Sequence, residues 1–147
     1  MSEMLQVIEI PSEFDYTVDM RHILVAIDFS NQTPRLLETA KELARFAACP
    51  LTLIHVLEDS GEESRLSNQR RLEEMAESIE QEGLQASAVV QTGPIVTRIL
   101  EEIQKRDIDH IVMGTHGHGA LMEVLLGSVS KGLVQNSALP ITLLPRY

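Results

Sequence analysis

Three glycines and two serines towards the C-terminal end of the chain have a spacing that suits phosphate binding. Gly114, Gly117 and Gly127 are separated by two and nine residues, and Ser128 and Ser130 follow the last of them. Glycine lets the main chain approach a ligand closely, and the free N–H groups at the start of a helix attract an anion. Serine hydroxyls add further donors. The spacing therefore predicts a polyphosphate site built largely from backbone.

The net charge of the chain limits which partners it can bind. Among 147 residues there are 12 Lys+Arg and 22 Asp+Glu, a formal net charge of −10 at pH 7. Such a surface repels duplex nucleic acid and anionic lipid, whereas backbone N–H groups can hold a phosphate without basic side chains. No stretch approaches the roughly 20 apolar residues of a membrane span. We expect a small anionic ligand, no nucleic acid and no membrane span.

Histidine and cysteine supply few candidates for other chemistry. His116 and His118 form an H-x-H pair, but two further metal ligands are not evident, so we predict no metal site formed by the protein alone. His55 and His110 lie in predicted strands and are interpreted as structural. Cys49 is the single cysteine, and there is no signal-peptide pattern, which favours a reducing compartment. We therefore expect a cytoplasmic protein.

The apolar pattern alternates between short β-rich runs and segments with helical spacing. This alternation is typical of a parallel sheet with helices on both faces, the α/β class. Thr33 and Pro34 are read as the N-cap and first residue of the first helix. The predicted strands cover residues 22–27, 51–57, 86–91, 110–113 and 141–144, and the later helices cover 62–82, 95–106 and 128–137.

The predicted sheet places the glycine series where open parallel sheets bind their ligands. Such sheets bind at the carboxyl ends of their strands, near the point where the strand order reverses. Asp28 follows the first predicted strand, Gly114 follows the fourth, and Gly127 begins the last helix. Five parallel strands with right-handed crossovers bring these three points to one edge.

Taken together, these motifs resemble the universal stress protein family, on the branch that binds ATP. The resemblance covers about residues 21–147 and rests on six segments, of which the long glycine motif is the most specific. They are residues 23–30 (ILVAIDFS), 53–56 (LIHV), 93–94 (GP), 109–117 (DHIVMGTHG) and 127–130 (GSVS) with 140–144 (PITLL). Residues 1–20 stand outside this domain, as a flexible extension or an added edge strand.

The resemblance implies a Rossmann-like sheet with the strand order 3-2-1-4-5. It also implies a homodimer paired through the final strand, Ile141 to Leu144. An apolar edge strand gives that dimer a physical reason, because its unpaired backbone would otherwise face water. ATP is the implied ligand, with Mg²⁺ carried on its phosphates. A protein partner, which the sequence does not identify, is also implied.

The resemblance also implies a set of nucleotide-binding residues. Around the adenosine, with the carboxylate near the ribose, it places Ala26, Asp28 and the backbone near Val56 and Leu57. On the other side of the nucleotide it places Met113, Gly114, His116 and Gly117. Around the phosphates it places Gly127, Ser128, Val129 and Ser130.

Three functions are compatible with the sequence. The favoured one is a nucleotide-binding stress or regulatory protein that acts through a partner. The second is a slow ATPase or phosphoryl-transfer enzyme, although no G-x4-G-K-[ST] loop is present and Lys131, just beyond Ser130, is the nearest candidate cation. The third is an adaptor that binds no nucleotide, against which the intact glycine series argues. The sequence predicts no catalytic residue.

Overall fold

The computed structural model describes residues 19–58, 61–115 and 127–145. Nearly all of the expected N-terminal extension, residues 1–20, therefore lies outside the described residues and stays a prediction. The described helices and strands alternate along the chain in the order β1 (Ile23–Ala26), α1 (Thr33–Ala47), β2 (Leu51–Leu57), α2 (Glu62–Gln81), β3 (Ala86–Thr92), α3 (Ile95–Lys105), β4 (His110–Gly114), α4 (Ser128–Asn136) and β5 (Ile141–Leu144).

The described strands form one parallel sheet in the order β3-β2-β1-β4-β5. This confirms the α/β class and the 3-2-1-4-5 order that the resemblance implied. Helix α1 differs by one residue from the sequence interpretation, because Gln32 is its N-cap and Thr33 its first helical residue. The shift arises in the preceding turn, where the Thr33 N–H donates to the Ser30 carbonyl at 3.1 Å.

The sheet is covered on both faces, which explains why its central strand is a continuous apolar run. Ile23 and Val25 pack with α1 and α2 residues on one face, and Leu24 packs with α3 and α4 residues on the other. All three side chains have no exposed surface. Burying each contributes roughly 1.5–3 kcal/mol to stability. No described helix is long and apolar enough to cross a membrane.

The edge strand β3 is covered by a side chain of α2. The Gln69 amide accepts a hydrogen bond from the Val90 N–H at 3.1 Å, and its nitrogen lies 3.5 Å from the Ala88 carbonyl. Along a strand, successive residues direct their N–H and C=O groups to opposite sides. Val89 therefore directs its groups to β2, and Ala88 and Val90 direct theirs away from it. Gln69 therefore occupies the position of a further strand along part of this edge.

A buried polar group fixes α3 to the sheet. The Glu102 side chain, 3% exposed, accepts a hydrogen bond from Gln91 of β3 and one from the Arg106 guanidinium, each at 2.8 Å. A buried carboxylate is tolerated when it is paired and hydrogen-bonded in this way. Because α3 supplies one wall of the cavity described below, this group also positions the site.

Two histidines lie at the amino ends of the strands, opposite the cavity. His22 donates from Nδ1 to the Arg106 carbonyl at 3.1 Å, so its Nε2 accepts from the Thr52 hydroxyl at 2.7 Å. His110 pairs through Nε2 with the Thr142 hydroxyl at 2.8 Å. Burial lowers the pKa of each imidazole below its ordinary value of 6.5, and the nearby Asp109 carboxylate offsets this only in part.

We predict that Arg106→Leu destabilises the fold by on the order of 3 kcal/mol, because it leaves the Glu102 carboxylate buried without its cation. Urea denaturation measures the change. Arg65→Leu is the control, since Arg65 pairs with Glu62 on the exposed face of α2 at 3.6 Å and such pairs contribute roughly 0–1 kcal/mol. Equal destabilisation by the two substitutions would show that the buried pair has no special weight.

We predict that stability falls as the pH drops below about 6.5. The folded-state pKa values of His22 and His110 are lowered, so the unfolded chain takes up protons first and the stability present above pH 6.5 is lost on acidification. Urea midpoints at pH 7.5 and 5.5 measure the loss. His22→Gln and His110→Gln should each flatten the difference between the two pH values, and an unchanged difference in both variants would contradict the assignment.

Candidate functional site

A cavity of about 300 Å³ opens at the carboxyl edge of the sheet, between the ends of β1 and β4. This is the place that open parallel sheets use for ligands, and the volume lies at the lower end of the roughly 300–1,000 Å³ of small-molecule sites. The cavity brings together nine of the residues that the resemblance assigned to a nucleotide, namely Ala26, Asp28, Val56, Met113, Gly114, Gly127, Ser128, Val129 and Ser130.

Three of the assigned residues are not part of the described cavity lining. Leu57 belongs to β2 but does not line the cavity, and its carbonyl accepts a hydrogen bond from the Gly93 N–H at 2.8 Å. His116 and Gly117 lie outside the described residues, as does His118 of the H-x-H pair. Their part in binding stays a prediction.

The backbone of Thr115 joins the three elements that form the cavity floor. Its carbonyl accepts hydrogen bonds from the Gly127 N–H at 2.6 Å and from the Ser130 hydroxyl at 2.7 Å. Its N–H donates to the Leu144 carbonyl at 3.0 Å. The end of β4, the start of α4 and the end of β5 are thereby held at fixed positions, which fixes the direction of the α4 N-terminus.

Gly127 is the N-cap of α4, and its backbone conformation does not require glycine. Its φ of −68° and ψ of 168° are in the extended region that any residue adopts. Glycine at this position also gives α4 no capping side chain. The N–H groups of the first turn, at Ser128, Val129 and Ser130, have no intrahelical acceptor. No described side chain caps these N–H groups, so they are donors available to an anion.

The two serines of the first turn of α4 have different surroundings. Ser128 is exposed on the cavity wall. Ser130 is 1% exposed, and its hydroxyl lies 2.7 Å from the Thr115 carbonyl and 3.1 Å from the Gly127 carbonyl. A hydroxyl has one proton to donate. In this structure Ser130 donates it to the backbone of the site, whereas the hydroxyl of the exposed Ser128 makes no hydrogen bond to a described residue.

Asp28 follows β1 and shapes the turn into α1. Its Oδ1 accepts the Ser30 N–H at 3.0 Å, and the Ser30 hydroxyl in turn lies 3.3 Å from the Gln32 N–H. Turns of this kind are typical of aspartate and serine. Within the described residues Oδ2 of Asp28 has no hydrogen bond, so the exposed carboxylate retains an acceptor beside the cavity.

Phe29 adopts a left-handed backbone conformation, with φ of 58°. This is unfavourable for a residue with a Cβ, and contacts of the ring offset the cost. The ring centroid lies 4.5 Å from that of His55, and the Arg71 guanidinium carbon lies 4.1 Å above the ring. His55 donates from Nδ1 to the Ile27 carbonyl at 2.7 Å. The loop after β1 is therefore anchored to β2 and α2, and Phe29 does not line the cavity.

The electrostatics of the cavity depend on backbone dipoles. Its described lining includes Asp28 and no lysine or arginine, and Lys131 is exposed on α4 one residue after Ser130. The undescribed residues 116–126 contain no lysine or arginine either. The N-termini of α1 and α4 contribute positive potential at this site. No group of three metal-ligating side chains occurs in the described ranges.

Sequence reasoning did not single out several residues of the lining. Ile95 and Ile99 of α3 form an apolar wall on one face of the sheet, and Thr33 and Leu36 of α1 form part of the opposite side. The helical stripe of α3 indicated burial but not a cavity. Thr33 had one usable signal, since it begins the helix after the first strand and such positions lie at the ligand-binding edge.

Comparison with known proteins gives a consistent result. The model of the universal stress protein family matches residues 20–145. Universal stress protein A homolog 1 of Coxiella burnetii is 31% identical over 128 residues, which cover 78% of this chain and 88% of that protein.

Solved structures agree with the sequence comparison. The structure of protein MJ0577 of Methanocaldococcus jannaschii is 28% identical, has a TM-score of 0.69, and covers 88% of this chain and 99% of its own. A universal stress protein of Archaeoglobus fulgidus, solved in complex with dAMP, is 21% identical with a TM-score of 0.68, and covers 86% of this chain and 98% of its own. At that identity the likeness concerns the fold. The chain belongs to the universal stress protein family.

Proposed function

We propose that this protein binds an adenine nucleotide, ATP above all, in the cavity at the carboxyl edge of the sheet. The observation that carries the proposal is the N-terminus of α4, where Gly127 gives no capping side chain, and no described residue caps the N–H groups on the cavity wall, although the backbone conformation of Gly127 suits any residue. A polyphosphate accounts for both features, because it needs close approach and several donors. The dAMP complex of the Archaeoglobus fulgidus relative supports the adenine class.

The rest of the cavity fits the nucleoside. Ala26, Val56, Ile99 and Met113 present apolar surface suited to a planar base. The free oxygen of the Asp28 carboxylate accepts hydrogen bonds, which is what the ribose hydroxyls offer. Mg²⁺ would bind through the phosphate oxygens, where it lowers their charge next to an acidic chain.

We propose that the protein senses whether the nucleotide is bound and acts on a protein partner accordingly. Phosphoryl transfer needs strong neutralisation of charge, commonly by lysine or arginine together with a metal. Neither the described lining nor residues 116–126 contain such a cation. This favours binding over fast turnover.

We also propose a homodimer formed through β5. This strand has β4 as its one neighbour in the described sheet, and its four side chains are half-buried. Pro140 and Leu144 direct their carbonyls to β4, so the alternate residues Ile141 and Leu143 present their N–H and C=O groups outward. A second copy of the strand would satisfy these groups.

We predict that Gly127→Ala weakens ATP binding at least tenfold and leaves the urea midpoint almost unchanged. The new Cβ would occupy the space of a phosphate, and the backbone conformation accepts alanine. Isothermal titration calorimetry measures the affinity.

The two serines provide the matched comparison. Ser128→Ala should weaken ATP binding at constant stability, whereas Ser130→Ala should lower the free energy of unfolding by about 1 kcal/mol, because it removes the hydrogen bond to Thr115. Wild-type protein that fails to bind ATP at millimolar concentration would overturn the proposed function.

We predict that Leu143→Pro converts the dimer into monomers. Proline removes an N–H that points outward and leaves the ladder to β4 intact. Leu143→Ala is the control, since it shortens the side chain and keeps the N–H, and it should weaken the dimer less. Light scattering after size-exclusion chromatography gives the mass. A Leu143→Pro protein that is folded and still dimeric would exclude pairing through β5.

A further inference from the structure

One buried hydroxyl at the cavity has no partner among the described residues. Thr33 lines the cavity and is 4% exposed, and its Oγ1 is buried without a hydrogen bond to residues 19–58, 61–115 or 127–145. Buried side-chain polar atoms are nearly always hydrogen-bonded, because leaving one unpaired loses the hydration it had in the unfolded chain. Because Thr33 lines the cavity, a ligand bound there can supply the missing partner of its hydroxyl.

The backbone around Thr33 leaves this hydroxyl as a donor at the α1 N-terminus. The Thr33 N–H already donates to the Ser30 carbonyl, and the Gln32 N–H to the Ser30 hydroxyl. The N-cap side chain of Gln32 makes no capping hydrogen bond. Pro34 has no N–H to offer. Because the helix dipole is positive here, an acceptor with negative charge suits the position best.

The first turn of α1 lies on the side of the cavity where phosphates are proposed. Arg35 donates to the Pro145 carbonyl at 2.7 Å, which places this turn beside the end of β5. The neighbouring Leu144 carbonyl accepts the Thr115 N–H, and Thr115 holds the start of α4. Val56, which would contact the base, lies on β2 at the other side of β1. Thr33 and α4 thus converge on one end of the cavity.

We propose that Thr33 determines preference for the length of the phosphate chain by donating its hydroxyl to a phosphate oxygen beyond the α-phosphate. This rests on the proposed function and deepens it, since the ligand is then held between the N-termini of two helices, α1 and α4. The methyl and hydroxyl of threonine share one Cβ, so a single rotation about χ1 turns the hydroxyl from its buried position to the ligand.

Three variants and three nucleotides test this proposal. The affinities of ATP, ADP and AMP are measured by calorimetry for the wild type, Thr33→Val, Thr33→Ser and Thr39→Val. Thr39 is the matched control, because its hydroxyl donates to the Arg35 carbonyl within α1 and its side chain does not line the cavity. Melting temperatures of the ligand-free proteins are recorded in parallel.

We expect Thr33→Val to lose about tenfold in ATP affinity and to keep its AMP affinity, while Thr33→Ser and Thr39→Val bind both like the wild type. Without ligand, Thr33→Val should melt at the same or a higher temperature, because no hydrogen bond is lost. A lower melting temperature would show that the hydroxyl has a partner within the protein and would overturn the proposal.

The remaining outcomes are also decisive. If ATP and AMP affinities fall equally in Thr33→Val, the hydroxyl does not contact the outer phosphates. If wild-type protein binds ATP tightly and Thr33→Val binds it equally well, this inference fails and the proposed function stands. If the wild type binds none of the three nucleotides, both fail together.

Discussion

The carbonyl oxygen of Thr115 accepts two short hydrogen bonds, and the geometry of the whole cavity depends on them. One comes from the Gly127 N–H at 2.6 Å and the other from the Ser130 hydroxyl at 2.7 Å. Since the Thr115 N–H is bonded to the Leu144 carbonyl, one peptide segment sets the relative positions of β4, β5 and α4. The field of a helix dipole is strong only near the first turn. It stabilises an anion only when the helix N-terminus is held at a fixed position, as these hydrogen bonds do.

The proposed anion site has to be separated from the surface charge of an acidic protein. With a net charge of −10, the long-range field of this chain opposes a polyphosphate. At the cavity the donors are fixed N–H groups and hydroxyls, which carry no net charge. They lose little conformational entropy on binding because the fold already orders them. The acidic surface therefore discourages other polyanions without removing the donors of the proposed site.

The sequence predicted the fold well because its signals are local. Leu24 and its neighbours form an apolar run that only a doubly covered strand explains, and the stripe of Ile95 and Ile99 gives the period of α3. Glycines at strand and helix ends predicted a site at the carboxyl edge of the sheet, and the structure has a cavity there. The sequence does not show the tertiary contacts. That the Ser130 hydroxyl donates to the Thr115 carbonyl, and that the Thr33 hydroxyl has no partner among the described residues, depend on atoms from distant segments.

The amide of Gln69 on the β3 edge bears on how far copies of this chain can associate. A sheet whose two borders are both open can add neighbours without end, which leads to fibres. Here one border is partly closed by an α2 side chain that mimics a strand, and the other ends in β5. Gln69 thus opposes growth at the β3 border, so the proposed pairing through the β5 border would stop at a particle of two copies.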